Sequence, residues 1–138
     1  MSVRKDKRNL SKMEYVNNAQ QILFIVNERI NKYVNKVATD IRYKHFRKWS
    51  VHTIWNSPIY HAEQVYKYVL CANKEREPNK RLDYLSNANL NLELLESSTE
   101  TFYHQFKKVI KDKFIELLTE KIDIEKKLIK GQTRIISY

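Results

Sequence analysis

LSNANLNLELLESSTETFYHQFKKV, residues 85–109, decides the fold. Leu85, Ala88, Leu92, Leu95, Thr99, Phe102, Phe106 and Val109 recur at alternating steps of three and four, the spacing that lines one face of an α-helix. Asn87, Asn89, Asn91, Glu93, Glu96 and Ser97 fill the positions between, so the apolar groups form a stripe that needs other helices to cover it. The spacing predicts the central helix of a bundle, with a core stripe and no cofactor motif.

The same pattern extends in both directions. Ser11-Lys12-Met13-Glu14 has the form of a capping box, which starts a first helix at Ser11. Val16, Ala19, Leu23, Val26, Ile30, Tyr33 and Val37 then give a stripe that Ile22 and Ile25 widen, with Asn17, Asn18, Gln20 and Gln21 among the polar positions. Thr39-Asp40 offers cap-type residues for a second helix, or the first runs on through them. Asn56-Ser57-Pro58 interrupts the second helix with a kink or short break, after which Ile59, Ala62, Tyr66 and Val69 resume the stripe. Asn73 to Pro78 contains no apolar side chain before its proline and predicts a turn. The central helix follows from Asn79 to about Lys111. Asp112 caps a last helix with Phe114, Leu117, Leu118, Ile122, Ile124 and Leu128 facing inward, and Gly131, the only glycine, takes the left-handed position that ends it. The expected organisation is all-α: a basic arm over 1–10, a four-helix bundle over 11–131 and a tail over 132–138 that pairs with a neighbour or another subunit.

Composition narrows the function. One Gly and two Pro in 138 residues leave little turn chemistry for hairpins or phosphate-cradling loops. Lys and Arg exceed Asp and Glu by ten, so the surface should attract polyanions, nucleic acid ahead of acidic membrane, with an affinity that falls as salt rises. Cys71 is alone, which excludes an internal disulfide, makes a poor start for a zinc site and suits a reduced, cytoplasmic setting. Residues 1–12 are basic but run into an amphipathic helix without the apolar core of a secretion signal, and no later segment suits a bilayer. His45, His52, His61 and His104 stand at no metal-binding spacing, and no nucleophile has an activating base. The chain is expected to be no enzyme and to need no metal or cofactor.

The cations suggest where a polyanion would lie. Arg4, Lys5, Lys7 and Arg8 against the single acid Asp6 make either a solubilising tail or an arm that orders on phosphate. Arg42, Lys44, Arg47 and Lys48 form a basic strip with Trp49 and Trp55 at its margins, cations for phosphate and rings for bases. Large aromatics at the edge of a small bundle are mostly buried, so packing is favoured over base stacking for both tryptophans. Lys80 and Arg81 complete the candidate contacts, which would touch phosphate with little sequence preference. Lys107, Lys108, Lys111 and Lys113 suit a helix C-terminus without any ligand. The competing reading is an oligomeric protein-interaction scaffold. Tyr15, Tyr43, Tyr60, Tyr68, Tyr84 and Tyr103 lie outside the strict stripes and add apolar surface for self-association.

Met1-Ser2-Val3, Lys7-Arg8, Leu10-Ser11-Lys12 and Glu14, then Asn56-Ser57 with Ile59-Tyr60, and finally Lys130-Gly131 with Arg134, resemble the corresponding stretches of small four-helix-bundle proteins carried by prophages and other mobile elements. These are the Avd-like proteins, named for the accessory variability determinant of diversity-generating retroelements, with a more distant likeness to ribosomal-RNA intervening-sequence proteins. The resemblance implies an up-down antiparallel bundle, a ring-like homo-oligomer (a pentamer in Avd), and a basic surface that binds nucleic acid and assists a reverse transcriptase.

Overall fold

The computed structural model describes the backbone of residues 2–46 and 48–137 and the side chains of residues 14–46 and 54–136. Four long helices follow one another, α1 (Ser2–Thr39), α2 (Lys48–Lys74), α3 (Pro78–Gln105) and α4 (Asp112–Ser137), with one 3-10 turn at Ile41–Tyr43 between the first two. No strand occurs among the described residues. Tyr15 of α1 meets Asn73 at the end of α2, His61 of α2 meets Asn91 of α3, Glu96 of α3 meets Lys126 of α4, and Asn18 meets Lys121 and Glu125. Each pairing joins helices running in opposite directions. The result is an up-down antiparallel four-helix bundle in which α1 packs on α2 and α4, and α3 on the same two.

The stripe over residues 85–109 lies where its spacing puts it. Leu85, Ala88, Leu92, Leu95, Thr99, Phe102 and Phe106 are all buried, and Val109 is half-buried beyond the end of the helix. Leu85, Ala88, Leu92, Leu95 and Phe102 of α3, with Phe106 just past its end, share one hydrophobic core with Val26 and Ile30 from α1, Val65 and Val69 from α2, and Leu118 and Ile122 from α4.

The connections differ from the sequence expectation, for local reasons. The helical backbone of α1 begins at Ser2, so Ser11 lies inside the helix rather than capping it, and residues 2–10 of the expected arm belong to α1. Asn56, Ser57 and Pro58 lie within α2, which stays helical on both sides of the proline although Pro58 has no N–H for the Ile54 carbonyl and its ring crowds that carbonyl; Pro58 is buried. Helix α3 ends at Gln105, earlier than Lys111, because Phe106 leaves helical geometry (φ −129°, ψ 33°). Its N–H still bonds the carbonyls of Phe102 and Tyr103, both at 3.2 Å. Gly131 has no positive φ and sits inside α4, which continues to Ser137, so residues 132–137 are helical and not an unpatterned tail. Gln132 is buried there and Ile136 packs against the core. The turn predicted between Asn73 and Pro78 is present. The Glu75 carboxylate accepts the N–H groups of Arg76 (3.1 Å) and Glu77 (3.2 Å), and Pro78 opens α3, where its fixed φ suits the first turn.

The inward face of α4 also differs. Leu117 and Ile124 are 41% and 40% exposed, whereas Phe114, Leu118, Ile122, Glu125, Ile129 and Gln132 are buried. A carboxyl group thus occupies the core face. Glu125 is fully buried, and its Oε1 accepts from Asn18 Nδ2 at 3.3 Å while Oε2 has no partner among the described residues. Burial, the dominant cause, pushes the Glu125 carboxyl up to about 8, with the Asn18 bond opposing it.

Candidate nucleic-acid interface

An aromatic plug builds one end of the bundle. Phe106 meets Phe102, Tyr43 and Phe46, each with ring centroids 5.2 Å apart in edge-on geometry. Phe106 and Ile110 are buried, and the N–H groups of Val109 and Ile110 close back on the Phe106 carbonyl at 3.0 and 3.1 Å. With these two side chains turned inward, the neighbouring Lys107, Lys108 and Lys111 are exposed, and Lys113 follows in the first turn of α4.

The other connection at this end adds to the same surface. Asp40 caps the 3-10 turn, its carboxylate accepting from the Arg42 backbone at 2.9 Å and from the Arg42 guanidinium at 2.6 Å. Those bonds hold the Asp40 carboxyl down at about 2, the Arg42 side chain being the first cause. Lys36, Arg42 and Lys108 line a recess of about 420 Å³ with Thr39, Asp40 and Val109. Lys44 is exposed beside it in the chain. The acids of the two connections are already engaged, Asp40 by Arg42 and Asp112 by the Tyr103 hydroxyl, which donates to Asp112 Oδ1 and titrates above its usual range because of that bond. Lys36, Lys44, Lys107, Lys108, Lys111 and Lys113 take part in no ion pair among the described residues. Positive charge is not spread evenly, since Glu116, Glu120 and Asp123 line a groove along the outer side of α4.

Of the ten residues proposed from the sequence, the four whose side chains are described, Arg42, Lys44, Lys80 and Arg81, do not form one surface. Arg42 and Lys44 are at the Lys107–Lys113 end, with Arg42 partly neutralised by its bridge. Lys80 and Arg81 lie at the opposite end, beside the turn from α2 to α3. There Lys80 pairs with Glu77 at 3.7 Å, and half-buried Arg81 donates from Nε to the Ala72 carbonyl at 3.1 Å, closing the end of α2. Arg81 is thereby a structural residue. The side chains of Arg4, Lys5, Lys7, Arg8 and Lys48, and Arg47 altogether, lie outside the described residues, as do the side chains of Trp49 and His52. Trp55 is half-buried against the core, the packing role favoured from sequence.

By sequence the lysines over 107–113 are helix-terminal charges, yet among the described residues they supply most of the free cationic surface at this end. The pattern Phe106-x-x-x-Ile110, an apolar pair spanning lysines past the last regular helical position, is the available sign of a tight outward loop. Of the tyrosines expected to drive self-association, Tyr15 is buried, Tyr43, Tyr68, Tyr84 and Tyr103 are half-buried, and Tyr60 is 55% exposed. Cys71 is half-buried on α2. No group of three or more His, Cys, Asp or Glu side chains among the described residues could hold a metal ion, and no helix among them is long and apolar enough to cross a membrane.

No family model, curated protein or solved structure matches the chain.

Proposed function

We propose that the protein is a non-enzymatic nucleic-acid-binding accessory protein of a prophage or other mobile element, working in the cytoplasm and contacting phosphates with the basic end of its bundle. The observation that carries this reading is the group of exposed lysines, Lys107, Lys108, Lys111 and Lys113, at the same end of the bundle as Lys36 and Lys44, none of them in an ion pair among the described residues, while Arg42 takes up the Asp40 carboxylate. Such a surface neutralises a polyanion without reading its bases. The Avd-like resemblance supports a role beside a reverse transcriptase.

Affinity for mixed-sequence RNA and DNA, measured against salt, tests the proposal. Replacing Lys107, Lys108, Lys111 and Lys113 with Ala should weaken binding and flatten its dependence on salt, by a log–log slope of roughly 0.7 to 0.9 for each phosphate that is no longer neutralised. Binding absent at low salt, or unchanged in the fourfold variant, refutes it.

A second reading, an oligomeric scaffold, is favoured by exposed Leu90 and Leu94 on α3 and Leu117 and Ile124 on α4. These side chains offer apolar surface for a ring of subunits such as the pentamer the resemblance implies. Sedimentation at several concentrations tests that assembly, which a strictly monomeric species excludes.

A further inference from the structure

A second recess opens on the same end of the bundle, between α1 and the first turn of α4. It encloses about 230 Å³ and is lined by Arg29, Tyr33, Lys111, Lys113, Phe114 and Leu117. Its floor is aromatic: the Tyr33 and Phe114 rings are buried, 5.4 Å apart and tilted by 59°. Its rim is cationic. Arg29, Lys111 and Lys113 are exposed, none is in an ion pair among the described residues, and the lining contains no carboxylate. The Tyr33 hydroxyl accepts the Lys111 N–H at 3.4 Å, which leaves its own proton to donate.

We propose that this recess takes the terminal phosphate of a nucleic-acid strand. The inference rests on the nucleic-acid reading and narrows it. An internal phosphodiester carries one charge and continues on both sides, so it suits an open surface such as that formed by Lys107 and Lys108. A terminal phosphomonoester carries a charge of about −1.5 to −2 at neutral pH and three acceptor oxygens. It enters a one-sided recess end-on, where three cations and a hydroxyl donor match its charge and its acceptors. The strand then leaves over the adjoining Lys107–Lys108 surface.

One single-stranded oligonucleotide made in three forms, with a 5′-phosphate, a 3′-phosphate or hydroxyls at both ends and an internal fluorophore, tests this by anisotropy. One phosphorylated form should bind at least about fivefold more tightly than the hydroxyl form, the effect of roughly one charge-assisted contact. The double variant Arg29→Ala/Tyr33→Phe, which takes one cation and the hydroxyl donor from the recess and leaves all four lysines of the binding surface in place, should lose that preference and still bind the hydroxyl form, with circular dichroism confirming its helices. Equal affinity for all three forms overturns the recess assignment and leaves the nucleic-acid reading standing; no binding of any form at low salt overturns both. A preference that survives the double variant also overturns the assignment. So does a mononucleotide monophosphate that competes as well as the whole phosphorylated strand, since the recess would then serve free nucleotides.

Discussion

Raising the pH should loosen this bundle at one identifiable carboxyl, that of Glu125. In the fold the group is fully buried and has one hydrogen-bond donor, Asn18, so the neutral acid is favoured and its pKa rises from an ordinary 4.5 to about 8. In the unfolded chain it ionises near the ordinary value. Between those two pH values the folded protein therefore holds a proton that the unfolded chain releases, and stability must fall as pH rises. The contribution is intact below about pH 4.5, declines across the interval and is gone above about pH 8. Each pH unit in the interval is worth ~1.4 kcal/mol, so complete ionisation costs the fold about 5 kcal/mol, and pH 7 already about 3. Glu125→Gln keeps the shape and removes the titration. Denaturant unfolding of both proteins from pH 4.5 to 9 should show similar stabilities at the acid end and a growing advantage for the Gln variant, several kcal/mol by pH 8 to 9. Tyr15 lies near enough to feel the Glu125 charge, but burial, the first cause, holds its hydroxyl above its ordinary value of 10.0, so it stays protonated in both proteins across this range. A difference that stays constant across this range refutes the reasoning.

Gly131 lies exposed inside α4 with nothing within 4 Å of where a Cβ would sit, so Gly131→Ala should raise stability by about 0.5 to 1 kcal/mol, measured by chemical denaturation. Thr99 buries a hydroxyl that has no partner among the described residues, and Thr99→Val should stabilise by roughly 1 kcal/mol. Leu92→Ala, in the fully buried centre of the α3 stripe, should cost about 2 to 5 kcal/mol and lower the thermal midpoint accordingly. Arg81→Ala should cost roughly 1 to 2 kcal/mol by freeing the Ala72 carbonyl, with little change in the salt dependence of nucleic-acid binding.

Residues 85–106 carried the fold in their spacing, because burying an apolar stripe on a helix depends on periodicity alone and periodicity is written locally. The same holds for the Glu75–Pro78 turn, where a run without apolar groups meets a residue that fixes φ. The sequence by itself thus determined an all-helical bundle of four amphipathic rods with a surplus of cations. What it left open was set by long-range packing. The neighbouring helices, not the i and i+4 pattern of α4 alone, selected Glu125 for the core and left Leu117 and Ile124 outside. Pro58 and Gly131, strong local signals for a break and a stop, were overridden because the helices on either side gain more from continuous packing than one proline or glycine costs. Only the tertiary structure could separate the cations by function: it locks Arg81 against the end of α2, ties Arg42 to Asp40, and, by drawing Phe106 and Ile110 into the core, turns Lys107, Lys108 and Lys111 toward solvent. Charge is a property of residues, but a charged surface depends on which neighbours have already been neutralised.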